Sequence, residues 1–142
     1  MIIFLKNKQT LKVDDFLFKC SIGKNGISKK KKEGDKKTPK GIFKIENLYF
    51  RKDRLKKPVT SLKCIKINND MGWCDDPNNP KKYNKLIKTS KIVKHEKLHR
   101  KDDKYNLLIP IKYNFNNTKI GLGSCIFFHL TKNYKPTAGC IA

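Results

Sequence analysis

Apolar residues along this chain come in short clusters at a spacing nearer two than 3.6, and polar turn signals separate them. Met1-Ile2-Ile3-Phe4-Leu5, with Lys6 and Lys8 directly behind, predicts a strand over residues 1–7. Leu11, Val13, Phe16 and Phe18 predict a second over residues 11–20, in which Asp14-Asp15 breaks the alternation. Gly23 and Gly26 bracket a turn. Ser28 to Lys37 is polar and Lys-rich, and it closes on Thr38-Pro39-Lys40-Gly41, a turn signature. Ile42, Phe43, Ile45 and Leu48 predict a strand, as do Leu62, Ile65 and Ile67 up to Asn68-Asn69-Asp70. Asp75 to Tyr83, with Pro77 and Pro80, is expected to be an ordered loop. In Ser90 to Lys104 the charges blur the period, and a helical turn and a short strand both stay open. Leu107 to Tyr113 reads as a strand whose Pro110 suits a sheet edge. Gly121-Leu122-Gly123-Ser124 turns into Cys125-Ile126-Phe127-Phe128-His129-Leu130, short, apolar and β-prone, which predicts a buried strand. The sum is a mainly β fold, a sandwich or barrel with short helical segments.

A length of 142 residues fits one domain, taken as residues 1–142. A chain of this size buries roughly 68% of the surface it exposes unfolded, so no disulfide or metal staple is required. No stretch approaches the ~18 apolar residues of a membrane span. The opening apolar run is shorter than the ~7–15-residue core of a secretory signal and has no charged region before it.

The net charge is +22, from 34 Lys+Arg against 12 Asp+Glu. Lysine supplies nearly all of it, 31 Lys against 3 Arg, whereas base readout and bidentate phosphate contacts favour Arg. With 13 Asn and 15 Ile but only 2 Ala, the composition is what an AT-rich genome writes at solvated positions. No specific nucleic-acid partner is expected. A general attraction to an anionic polymer (nucleic acid, a membrane surface or a cell-wall polymer) stays open. The five cysteines, Cys20, Cys64, Cys74, Cys125 and Cys140, form no C-x-x-C pair, and their odd number leaves at least one thiol unpaired within the chain.

Two constellations compete for chemistry. His95-Glu96-Lys97-Leu98-His99 matches H-E-x-x-H, which on a helix holds zinc with the Glu as base. Its flanks lack an apolar stripe, no Glu follows as a third ligand, and the surrounding lysines disfavour a dication. No metal is expected there, and no cofactor elsewhere. The second is His129 at the end of its apolar run, eleven positions before Cys140. A thiol nucleophile needs an imidazole to take its proton. Gly139, just before the Cys, lets the backbone turn and present N–H groups to an oxyanion. A buried structural Cys140 is the alternative.

The residues around this pair resemble the L,D-transpeptidase catalytic domain (the YkuD-like family), in the branch whose motif ends Thr-x-Gly-Cys-Ile/Val-Ala. Thr137-Ala138-Gly139-Cys140-Ile141-Ala142 carries that motif, with Ala138 where the commoner form has His. Glu33-Gly34-Asp35-Lys36-Lys37-Thr38-Pro39-Lys40-Gly41-Ile42-Phe43 resembles the family's E-G-D-x-x-T-P-x-G-x-F. Gly72-Trp73-Cys74-Asp75-Asp76-Pro77 with Tyr83-Asn84, Glu96-Lys97-Leu98 to Tyr105-Asn106, and Gly123-Ser124-Cys125-Ile126-Phe127-Phe128-His129 resemble three more family segments in the same order. His99 stands where the family usually has Trp, so the H-E-x-x-H match reads as accidental.

The resemblance implies acyl transfer on peptidoglycan stem peptides in bacterial cell-wall biogenesis, with 3→3 cross-links as product and no cofactor. Cys140 is then the nucleophile, His129 the general base and acid, and the Gly139 and Cys140 N–H groups the oxyanion donors. Thr137 holds the loop. Trp73 is read first as core and second as a groove wall; Ser124 and Tyr134 are the other candidate substrate-binding positions. Carbapenems acylate many members of this family. Water in place of the acceptor amine gives an L,D-carboxypeptidase, and a non-catalytic Lys-rich module holding an anionic polymer is the rival class. A monomer in the periplasm or cell envelope is expected, although no export signal is visible. Family domains continue past the Gly-Cys pair into a helix and strand. The sequence ends two residues after Cys140, so those closing elements are expected to be missing. That expectation leaves Ile126, Phe127 and Phe128 partly exposed and Pro136 to Ala142 loose.

Overall fold

A computed structural model describes residues 2–29, 31–45 and 47–142. Strands carry all of its regular structure; no helix occurs among the described residues, so the expected short helical segments are absent there. A four-stranded sheet lies at the centre, in the order β12-β11-β6-β7, built from β6 (Asn47–Phe50), β7 (Lys63–Lys66), β11 (Leu107–Pro110) and β12 (Phe127–His129). One three-stranded sheet joins β1 (Ile3–Asn7), β2 (Thr10–Val13) and β3 (Phe16–Lys19), and another joins β10 (His95–Lys97), β8 (Met71–Cys74) and β9 (Leu86–Lys88). Two short strands, β4 (Ile27–Ser28) and β5 (Thr38–Pro39), pair in parallel.

Period-two alternation assigns the faces of the central sheet. Leu108, Phe127 and Cys140 enter one apolar cluster with Tyr49, Trp73, Leu98 and Tyr105. Ile111, Ile126 and Ile141 enter a second with Cys20 and Ile22, against which Leu5, Leu11 and Phe128 pack. The central sheet is therefore the middle layer of three. Fully burying a side chain such as Phe127 contributes about 1.5–3 kcal/mol.

Several expected elements move. Asp14-Asp15 is the turn of a hairpin, with Asp14 at φ 50°, so the second expected strand is two strands. Thr38-Pro39 is the strand β5 rather than a turn. The strand expected from Ile42 begins only at Asn47, and Ile42 is fully exposed. The open segment Ser90 to Lys104 contains the short strand β10. Pro110 sits in an interior strand rather than at an edge, between Leu108, which pairs with Tyr49 of β6, and Ile111, which bridges Ile45.

The C-terminal residues are held rather than loose, and of the three residues expected to be partly exposed only Phe128 is, half-buried. Ile141 bridges Phe128 in parallel, the Ile141 N–H donates to the Phe127 carbonyl at 2.9 Å, and the His129 N–H donates to the Ile141 carbonyl at 3.1 Å. Ser21 and Ala142 exchange a reciprocal pair at 2.6 and 2.9 Å. Ile126 and Phe127 are 5% and 1% exposed, because Ile141 and the two neighbouring layers cover them.

Candidate active site

Ile141 bridges β12 in parallel at Phe128, while Thr137 bridges Gly23, and the Ile141 bridge sets which side chains share a face. With Phe128 level with Ile141, the neighbours Phe127 and Cys140 share the opposite face of the sheet, and His129, two residues beyond Phe127, shares it too. Both ends of the pair support that placement. Cys140 belongs to the Trp73–Tyr105–Phe127 cluster, and the His129 ring meets the Tyr105 ring edge-on at 5.3 Å. Both side chains line one cleft of about 620 Å³, whose walls also include Glu33, Glu96, Tyr105 and Ser124.

The Cys140 thiol is buried in the wall of this cleft, with the residue only 8% exposed. Its Sγ accepts the Phe127 N–H at 3.4 Å and donates to the Cys125 carbonyl at 3.2 Å. Burial pushes its pKa up to about 12; the Phe127 N–H and Lys31 oppose this, and the Glu96 carboxylate adds to it. The resting group is a thiol. His129 is displaced the other way: burial lowers its pKa, with Lys104 and Arg100 assisting, against the Leu130 carbonyl. Nδ1 lies 2.7 Å from that carbonyl. A carbonyl only accepts, so Nδ1 carries the proton and Nε2 holds the lone pair. The cleft wall thus carries a neutral imidazole and a protonated thiol.

The loop before Cys140 is held by two threonines. Thr137 Oγ1 donates to the Cys140 carbonyl at 2.6 Å and accepts the Gly139 N–H at 3.1 Å. Thr38 Oγ1, 2% exposed, donates to the Gly139 carbonyl at 2.9 Å and accepts the Gly23 N–H at 2.9 Å. Gly139 has φ +142°, and a Cβ there would stand 3.0 Å from the Lys37 carbonyl oxygen, so only glycine fits without strain. The Gly139 amide is thus committed to the loop, while no acceptor among the described residues takes the Cys140 N–H.

Three further groups line the cleft. Glu96 receives the Tyr105 hydroxyl hydrogen bond and lies 3.6 Å from Arg100; burial raises its carboxyl pKa, against Tyr105 and Arg100. Glu33 Oε2 accepts from the Tyr83 hydroxyl and, at 2.7 Å, from Ser124 Oγ. Lys31, expected on a solvated segment, has a side chain only 2% exposed and paired with Asp35 at 2.8 Å.

The other sequence candidates divide. Ser124 lines the cleft, spent on Glu33. Trp73 is core rather than groove wall: it is 3% exposed, its Nε1–H donates to Asn84 Oδ1 at 3.0 Å, and its ring packs on Tyr49, Phe115 and Phe127. Tyr134 lies outside the cleft wall, with the Lys19 ammonium 4.7 Å over its ring. His95 sits on strand β10 with Nδ1 2.7 Å from the Val93 carbonyl, so it and His99 do not share a helical face. Sequence reasoning assigned no role to Glu33, Lys31, Asn84, Glu96 or Tyr105. Four of them lie inside the motif segments quoted above or beside them, which was the available signal.

Compared with known proteins, the whole chain, residues 1–142, matches the family model YkuD, L,D-transpeptidase catalytic domain. No curated protein and no solved structure matches it.

Proposed function

Because the chain belongs to the L,D-transpeptidase catalytic-domain family, we propose that it is a peptidoglycan L,D-transpeptidase with Cys140 as nucleophile and His129 as general base. The observation that carries this reading is the shared wall: the Cys140 thiol and the His129 imidazole line one cleft from one face of the sheet. In the first half-reaction Sγ attacks the carbonyl at the diaminopimelate–D-alanine bond of a tetrapeptide donor. The thiol proton passes to His129 Nε2 as the C–S bond forms, so the buried sulfur never carries a resting charge. His129 then protonates the departing D-alanine amine, and a thioester remains. In the second half-reaction the side-chain amine of another stem gives its proton to His129 and attacks the thioester. The product is a 3→3 link and the regenerated thiol.

The Cys140 N–H is the oxyanion donor in this reading, since it has no acceptor among the described residues and the Gly139 N–H does. One such donor is worth about 10²–10³ in rate. Thr137 and Thr38 act as positioning residues through the loop backbone. Members of the family are cell-envelope enzymes, and the same placement is proposed for this chain.

Incubation with a disaccharide tetrapeptide, followed by mass spectrometry of the products, tests the reaction. The expected products are free D-alanine and a 3→3 dimer. Tripeptide alone would establish the L,D-carboxypeptidase instead, and unchanged tetrapeptide together with binding of an anionic polymer that Cys140→Ala leaves untouched would establish the non-catalytic module.

A further inference from the structure

Strand β3 stands at the open edge of its sheet, in the order β1-β2-β3, and its residues are unusually apolar for an edge. Phe16, Leu17 and Phe18 are 70%, 58% and 52% exposed. Phe16 and Phe18 project from one face and Leu17 from the other, so no rotation of the sheet hides them all. Unpaired edges of this kind template the addition of another strand. Just beyond β3 the edge closes, because Ser21 exchanges its main-chain hydrogen bonds with Ala142.

The hydrogen-bond parity of the edge is fixed. The tight hairpin makes Val13 and Phe16 its closing pair, so residues 16 and 18 direct their N–H and C=O groups toward β2. Leu17 and Lys19 direct theirs outward, in phase with Ser21. A second copy related by a two-fold axis through Leu17 meets this edge antiparallel. Leu17 then faces Leu17 of the second copy once, on the axis, as a hydrogen-bonded pair, while the Phe16–Phe18 and Asp15–Lys19 pairs each occur twice by symmetry. Asp15 is fully exposed and lies 3.9 Å from Lys12, and the Lys19 ammonium lies 4.7 Å over the Tyr134 ring without a carboxylate among the described residues. Sliding to the next allowed register sets Leu17 against Lys19 and drives Asp15 onto the Ser21 edge that Ala142 already holds.

We propose that the protein forms a two-fold dimer by antiparallel pairing of β3 with β3 of a second copy, centred on Leu17. Aromatic cross-strand pairs and opposite charges each stabilise such a ladder. The charge complementarity selects a second copy over an anionic lipid surface, because Asp14 and Asp15 stand at the apolar tip where lipid headgroups would repel them. The net charge of +22 on each copy opposes association, so the dimer tightens as salt screens it.

Sedimentation velocity of the full chain over a concentration series, at about 0.15 M ionic strength and above, tests the proposal. A monomer–dimer equilibrium is expected. Lys19→Asp and Asp15→Lys should each weaken it about tenfold by setting like charges opposite one another, and the double variant should return within about threefold of the parent. Leu17→Cys should cross-link between copies on mild oxidation, above the background of the parent chain, because hydrogen-bonded pairs sit about 5.5 Å apart between Cα atoms, within disulfide range. Phe18→Cys, which faces Phe16, should not. A monomer at every concentration, a dimer indifferent to the charge swap, or binding to anionic vesicles by a chain that stays monomeric would each overturn the proposal.

Discussion

Replacing Thr38 by valine removes one oxygen atom and leaves the shape of the side chain nearly intact. That oxygen joins two segments far apart in sequence: it accepts the Gly23 N–H and donates to the Gly139 carbonyl, each at 2.9 Å, inside a site where Thr38 is 2% exposed. Water has no access to replace it. Each of the two orphaned buried backbone groups costs about 1–3 kcal/mol, so Thr38→Val should destabilise the fold by about 2–6 kcal/mol. Unfolding entropy near 2.1 cal/mol/K per residue makes each kcal/mol about 3 °C for a chain of this length, giving a fall in Tm of about 7–20 °C. Freed from Thr38, the Gly139 carbonyl also releases the Cys140 backbone, so the rate of thiol acylation should fall by more than the unfolded fraction explains. Thr38→Ser keeps the oxygen and should recover most of both losses. Calorimetry and acylation kinetics on the three proteins decide the matter. A Tm change under 2 °C in Thr38→Val, or equal losses in the serine and valine variants, would refute the reasoning.

The remaining predictions concern charge and buried polarity. With His129 as the proposed base, acylation requires its neutral form, and burial holds its pKa below the ordinary 6.5, so the rate should be flat near neutrality and fall only at more acidic pH; a midpoint at or above 6.5 contradicts this. Asn84, 2% exposed, accepts from Trp73 Nε1 and the Cys125 N–H and donates to the Tyr113 and Asn114 carbonyls, so Asn84→Ala should cost about 3–5 kcal/mol in denaturant unfolding. Asp35→Ala leaves the buried Lys31 ammonium unpaired and should cost about 3–5 kcal/mol. Burial opposes ionisation of Asp35, but Lys31 and the Lys32 and Lys37 N–H groups outweigh it and hold its pKa below 3.8. The stabilisation is therefore present above pH 3.8, is lost as acid carries the pH through the lowered value, and should be missing from the acid-unfolding curve of the variant.

Local pattern located the strands that local pattern controls. Leu62, Ile65 and Ile67 marked the edge strand β7, whose two lysines are exposed, and the Cys125 to Leu130 run contained β12, where apolar clusters on both faces of the sheet select unbroken apolar residues. What long-range pairing decides was not legible. Thr38-Pro39 has the composition of a turn, yet Ile27-Ser28 recruits it as a strand and Gly139 uses its hydroxyl. Lys31 sits in a run of lysines and is the one that Asp35 and the cleft wall enclose. Ile42 looks like a strand residue and is fully exposed. At the proposed site, the sequence offered Cys140 and His129 as a candidate pair, since nucleophile and base types are few. It did not give their common face, which follows from the pairing of Ile141 with Phe128. Nor did it give the engagement of the Gly139 amide by Thr137.

The central claim is that Cys140 alone forms the acyl-enzyme. All five cysteines are free thiols, and Cys125 shares the cleft wall with Cys140, so the assignment has a real competitor within the same cleft. Intact-mass measurement after incubation with a carbapenem, on the parent chain, Cys140→Ser and Cys125→Ser, tests it most directly. The account predicts one adduct per chain in the parent and in Cys125→Ser, with peptide mapping placing it on Cys140, and no thioester adduct in Cys140→Ser. An adduct that persists in Cys140→Ser, or that disappears in a folded Cys125→Ser, would contradict it.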